Sequence, residues 1–199
     1  MKNVYCIRHG TAEHNVLFKE MGEKAYMMLR DSSLTELGQS ESKLLSQHWI
    51  EKNNIELVIV SPLTRTLQTA TNIFKDINVK MISLDQVKEY PASYENINHR
   101  KDRSELVVKY HPTVNFKHLP ETDSLWHAET NETLEQLERR VKQVKDFILQ
   151  RKENNIAIVS HTTYLAYFLY GEIDDYDNQL KHCFPYKLHL KSNTTYANK

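Results

Sequence analysis

Only four glycines, five prolines and two cysteines occur in these 199 residues, and neither sign of charge is in excess. Each shortage excludes something. Two thiols, Cys6 and Cys183, cannot build a disulfide framework, and their apolar or aromatic neighbours predict buried free cysteines. With 26 Lys+Arg against 26 Asp+Glu there is no broad cationic field, which argues against nucleic acid or an anionic membrane as partner. No stretch approaches the roughly 20 apolar residues of a membrane span. The apolar run before Arg8 is too short for the core of a signal peptide. These absences predict a soluble, cytoplasmic protein. No Pro/Gly linker, internal repeat or low-complexity block divides the chain.

A chain of this length can bury roughly 70% of its unfolded surface, so one core needs no staples. The expected organisation is a single domain over residues 1–191 with an insert at about 90–130. The polar residues 192–199 form a fraying tail.

Hydrophobic patterning predicts alternating strands and helices. Buried strands are expected at 3–9, 56–60, 79–84 and 156–159, and an edge strand at 187–191. Thr35 caps a helix to about residue 52, with Leu37, Leu44, Leu45 and His48 near one face. Ser61 and Pro62 open a helix to Phe74, with Leu67, Ala70 and Phe74 turned inward. Asp102 and Glu105 form a capping box for a helix ending near Tyr110. Thr130 opens a long helix carrying Leu134, Leu137, Val141, Val144 and Ile148. Residues 162–170 make an apolar helix stopped by Gly171. The Met-rich segment 16–30 is a helix or lid, with core packing as its default role. This order points to an α/β fold: a three-layer α/β/α sandwich with a mostly parallel central sheet.

In such sheets ligands bind beyond the carboxyl ends of the strands. Past those ends stand Arg8 and His9, then Arg65, then Glu89, then His161. Two guanidiniums bind phosphate oxygens with permanent charge. One neutral imidazole serves as a nucleophile, and a second as a hydrogen-bond donor. A carboxylate protonates a leaving oxygen and then activates water. Taken singly, each residue reads as an ordinary surface charge or structural histidine. Together they suit phosphoryl transfer. Ten histidines raise the question of a metal, but no HExxH segment or zinc-type Cys/His spacing occurs. His111, His118 and His127 read as surface residues, and neither metal nor cofactor is expected.

Four collinear segments carry a family resemblance. Arg8-His9-Gly10-Thr11 followed by Asn15, Leu34-Thr35-Glu36-Leu37-Gly38, Ser61 to Ala70 around Arg65, and Val159-Ser160-His161 resemble the signatures of the histidine phosphatase superfamily, the phosphoglycerate mutase-like proteins. The resemblance implies that His9 is the nucleophile and that Arg8, Arg65 and His161 hold the phosphoryl group. It implies Glu89 as proton donor, with Glu13 and Glu95 as the alternative acids, and places Thr11 and Asn15 at the pocket. Many relatives carry glycine after the second histidine. Here Thr162 stands there, offering a backbone N–H and a hydroxyl as a phosphate or substrate contact.

The family includes mutases, phosphatases and inactive members. Glu89 is followed by Tyr90-Pro91-Ala92-Ser93-Tyr94-Glu95, without the tyrosine- and glycine-containing stretch of mutases, and their arginine-rich substrate elements are absent. The expectation is a metal-independent phosphomonoester hydrolase with a phosphorylated small molecule or phosphopeptide as substrate. A mutase-type phosphotransferase and a non-catalytic scaffold are the alternatives, and a homodimer is compatible. Tyr94, Asn98, Arg100 and Arg103 in the insert are candidate leaving-group contacts, with a solvated helix face as the default for each.

Overall fold

Alternate residues of the first strand enter two different cores. In the computed structural model, which describes residues 1–173 and 180–191, β1 (Lys2–Arg8) sends Val4 and Cys6 to one side and Tyr5 and Ile7 to the other. The same alternation in β2 (Leu57–Val60) and β5 (Asn155–Ser160) explains their unbroken apolar runs: a parallel strand covered on both faces has no polar side.

The sheet has six strands in the order β4-β3-β2-β5-β1-β6, where β3 is Lys80–Ser83, β4 is Val114–Asn115 and β6 is Pro185–Leu190. All neighbours are parallel except β6, which runs antiparallel to β1 at one edge. α6 (Leu134–Leu149) and α7 (Thr162–Tyr170) pack on one face, and α4 (Thr64–Phe74) and α5 (Arg103–Tyr110) on the other. Register does the rest. Arg8 pairs with Ser160, Val60 with Val159 and Val60 with Ser83, so the loops after β1, β2, β3 and β5 leave from one edge of the sheet.

Several boundaries differ from the sequence pattern. α4 begins at Thr64 rather than Pro62. Its first N–H and the Thr64 hydroxyl both donate to the carboxylate of Asp31, at 2.6 and 2.7 Å, so a distant residue replaces the local cap. α6 begins after Thr133, which forms a capping box with Gln136, rather than at Thr130. The helix α3 (Glu36–His48) is capped by Thr35 as expected but stops at His48, followed by a 3-10 segment.

The buried face of α3 is Gly38, Ser42 and Ser46, whereas Leu37 and Leu44 are exposed. Small residues let α3 approach α4 closely. Ser46 donates to the Ile73 carbonyl at 2.7 Å, and Asn72 to Ser42 at 2.8 Å. That polar seam wins over the leucine stripe.

Segment 16–30 folds as α1 (Glu13–Met21) and α2 (Lys24–Met28), and Met21, Met27 and Met28 are exposed rather than core. The strand β4 interrupts the insert and has too few residues to show a pattern. Cys6 is fully buried and Cys183 only partly so. Arg100 is fully buried instead of solvated. It pairs with Asp85 at 2.8 Å and donates to the carbonyls of Lys101, Pro120, Glu121 and Thr122. Beside it Lys88, equally buried, meets Asp123 at 2.6 Å. Two buried ion pairs thus fix the insert to the end of β3. The tail 192–199 lies outside the described residues. Among the described residues no helix is long and apolar enough to cross a membrane.

Candidate active site

At the edge where the parallel strands end there is a cavity of about 540 Å³. Of the residues singled out in the sequence, Arg8, His9, Asn15, Arg65, Glu89, Glu95, Asn98 and Thr162 line it. His161 lies behind this lining, with its ring centroid 5.2 Å from that of His9. Thr11 is not at the cavity. Its N–H and hydroxyl both donate to the carboxylate of Glu41, at 2.7 and 3.0 Å, so it anchors the loop instead. Glu13 is exposed, accepts from Ser33 N–H at 3.0 Å and is also away from the cavity.

His9 is held at both ends. Its main-chain N–H donates to Ser160 O at 3.0 Å, the rung that follows the last pair of β1 and β5. Its Nδ1 lies 2.7 Å from the carbonyl oxygen of Gly10, which only accepts, so Nδ1 carries the proton and Nε2 keeps its lone pair. Burial, then Arg65, His161, His14 and Arg8, hold the imidazole pKa well below 6.5. A neutral imidazole with a free Nε2 can attack an electrophile.

The cationic wall is as firmly set. Arg8 Nη1 donates to Leu180 O at 2.9 Å. Arg65 donates from Nη1 to Ile97 O at 3.0 Å and from Nη2 to Asn98 Oδ1 at 2.9 Å. Burial pulls the Arg65 pKa down to about 10, which leaves it charged near neutrality. The Nε atoms of both arginines and Nδ1 of His161 are buried and have no partner among the described residues. An anion with several oxygens can satisfy such donors. His161 Nε2 lies 2.8 Å from the Ser61 hydroxyl, which fixes its ring.

Glu89 follows the 3-10 turn Asp85–Val87. One carboxylate oxygen accepts Tyr90 N–H at 2.8 Å and Tyr164 N–H at 3.0 Å. Burial raises its pKa above 4.5, against those two bonds and the charges of Arg65 and Arg8. Arg140 steadies this corner. It donates to the carbonyls of Gln86, Lys88 and Glu89 and pairs with the carboxylate of Glu132.

Two lining histidines, His14 and His182, were not expected there. His14 is buried with its ring centroid 5.7 Å from His9, and burial followed by Arg65 and Arg8 drives its pKa to about 2. Its only sequence signal is its place beside Asn15. Asn15 Oδ1 accepts Ala12 N–H at 2.9 Å, so its amide nitrogen faces His14 Nε2 at 3.1 Å. His182 donates from Nδ1 to the main-chain oxygen of His9 at 2.6 Å. Searching past parallel strands misses it, because it precedes the antiparallel β6, whose start lies at the same edge. Asn98 and Glu95 come from the insert. Burial and then Glu89 push Glu95 up to about 7. Thr162 is the first residue of α7, and a helix N-terminus favours anions. Among the described residues no group of three His, Cys, Asp or Glu side chains is arranged to hold a metal ion.

Comparison with known proteins identifies the family and the fold. Over 201 residues the chain is 32% identical to phosphoglycerate mutase-like protein 1 of Arabidopsis thaliana, covering 84% of this chain and 71% of that protein. It is 27% identical over 170 residues to phosphoserine phosphatase 1 of Hydrogenobacter thermophilus, covering 81% and 72%. The solved structure of Bacillus stearothermophilus YhfR shares the fold, with a TM-score of 0.68 at 16% identity over 99% of this chain and 95% of that one. The model of the histidine phosphatase superfamily (branch 1) matches residues 4–190. The chain belongs to the histidine phosphatase superfamily, branch 1, with a phosphoglycerate mutase-like fold.

Proposed function

We propose that this protein hydrolyses phosphate monoesters through a phosphohistidine formed at His9, without a metal. The observation that carries the reading is the His9–Gly10 contact. By committing Nδ1 to a carbonyl at 2.7 Å, it reserves Nε2 as the nucleophile beside two arginines. In the first step Nε2 attacks phosphorus. The P–O bond to the leaving group breaks, its electron pair stays on oxygen, and protonated Glu89 supplies the proton. In the second step the Glu89 carboxylate takes a proton from water as the oxygen attacks phosphorus. The P–N bond breaks, its electrons return to Nε2, and inorganic phosphate leaves.

Arg8, Arg65 and His161 would hold the equatorial oxygens in both steps, and electrostatic holding of this kind is the largest part of such catalysis. Thr162 and Asn15 border the phosphoryl site, and the insert 90–130 meets the leaving group. Substrates of this class are phosphorylated small molecules or phosphopeptides. The relative named a phosphoserine phosphatase makes phosphoserine a first candidate.

The test is phosphate release from p-nitrophenyl phosphate and from phosphoserine with EDTA present, comparing the intact protein with His9→Ala. Turnover by the first and none by the second is expected, with an acid-labile phosphoryl adduct on the intact protein only. No turnover and no adduct in the intact protein would overturn the reading.

A further inference from the structure

The cationic wall depends on a residue that lies outside it. Asn98 belongs to the 3-10 segment Asn96–Asn98 of the insert and is 1% exposed. Its side chain makes three hydrogen bonds. Oδ1 accepts from Arg65 Nη2 at 2.9 Å, and Nδ2 donates to Pro91 O at 2.8 Å and to Glu95 Oε2 at 3.1 Å. A guanidinium only donates, and a carbonyl only accepts. The amide therefore has one permitted orientation, and that orientation presents an acceptor to Arg65.

The neighbouring Ile97 carbonyl takes Arg65 Nη1 at 3.0 Å. Both terminal nitrogens of Arg65 are thus tied to the insert, at two consecutive residues of the chain. The plane of the guanidinium is set by these two bonds, and Nε remains buried with no partner among the described residues. From β2 and α4 alone, Arg65 would have a position but no fixed plane.

We propose that Asn98 is a positioning residue: it fixes the guanidinium plane of Arg65 and so couples the specificity insert to the phosphoryl site. The inference rests on the phosphatase reading above. It assigns the insert a second task besides meeting the leaving group. Asn98 itself need touch no substrate atom.

The test is a double-mutant cycle with Asn98→Ala, Arg65→Lys and the pair, read by kcat and KM on p-nitrophenyl phosphate and by tungstate affinity. A misplaced catalytic group costs up to about 10²-fold, so Asn98→Ala should lower kcat about 10- to 100-fold with a smaller change in KM. In the Arg65→Lys background the planar fork is gone, and Asn98→Ala should change kcat less than about twofold. An equal loss in both backgrounds would overturn the proposal, because it would mean that Asn98 acts on folding alone.

If Asn98→Ala fails to fold, the exchange Asn98→Asp with Glu95→Gln carries the test. It keeps the acceptor for Arg65 and reverses the bond to residue 95, while the bond to the Pro91 carbonyl is given up. Recovery of near-wild-type tungstate affinity supports the proposal, and a folded exchange variant that has lost it overturns the proposal. Failure of the wild-type protein to bind tungstate would overturn the phosphoryl-site reading itself, and this inference with it.

Discussion

One oxygen of Glu89 accepts the main-chain N–H of Tyr164 at 3.0 Å, in the first turn of the helix that His161 opens. A bond spanning 75 residues of chain thereby ties the proposed acid to the helix that the second histidine caps. The bond also favours the carboxylate, opposing the burial that favours the acid. Burial is the larger of the two, so Glu89 stays above the ordinary carboxylate value.

This balance sets a pH profile. The proposed mechanism needs His9 neutral, so activity should be lost as pH falls through a pKa that burial and the surrounding cations hold well below 6.5. The same mechanism needs Glu89 protonated, so activity should be lost as pH rises through a pKa that burial holds above 4.5. A plot of kcat/KM against pH should be bell-shaped, with its acid limb displaced below the usual imidazole range. Glu89→Gln should remove the alkaline limb. An acid limb at the ordinary value of 6.5 would mean that His9 is not the group titrating.

Glu95 competes for the role of acid, since it lines the same cavity and titrates near 7. The leaving group separates the two. An alkyl oxygen must be protonated as it departs, whereas p-nitrophenolate leaves unaided. Glu89→Gln should cost about 10² to 10⁴ on an alkyl phosphate and much less on p-nitrophenyl phosphate. Glu95→Gln should give a smaller loss of similar size on both, because its carboxylate acts through Asn98. The reverse pattern would move the acid to Glu95.

Much of this arrangement is written locally. The runs around Val4 and Ile158, the Thr35 cap, the Asp102–Glu105 box and the Gly171 stop depend on neighbours in the chain, and each is where the pattern puts it. Parallel register then brings Arg8, His9, Arg65, Glu89 and His161 to one edge. What could not be read comes from afar. Asp31 caps a helix 33 residues away, the serine face of α3 matches a partner helix, and His182 arrives on the antiparallel edge. The insert carries charge that looks solvated. Its buried pairs become visible only once Asp85 meets Arg100 and Asp123 meets Lys88.

Arg100 should be essential to the fold of the insert. It is fully buried, pairs with Asp85 through Nε and Nη2, and serves four carbonyls. Removing one partner of a buried pair leaves an uncompensated charge, so Arg100→Ala should destabilise the protein by about 3–5 kcal/mol in urea unfolding. Arg100→Lys should recover little, because one ammonium cannot reach carboxylate and carbonyls together. A loss below about 1 kcal/mol for Arg100→Ala would place the pair among ordinary surface bridges.

Gly38 should matter to catalysis although it touches no substrate. A Cβ there would lie 2.1 Å from the main-chain oxygen of Thr11, and one on Gly10 would lie 2.6 Å from the main-chain oxygen of Gly38. Backbone meets backbone at both points, so neither clash can be relieved by turning a side chain. The Thr11 oxygen is also pinned by the N–H and the hydroxyl of Thr35, each at 2.9 Å. Gly38→Ala must therefore push the loop that follows His9 away from α3. Overpacking of this kind costs about 1–3 kcal/mol, and a shift near 1 Å at the proposed nucleophile should cost about 10²-fold in rate. The expected result is a modest loss in thermal stability with a large loss in kcat. An active, merely destabilised Gly38→Ala protein would show that the loop can move without carrying His9.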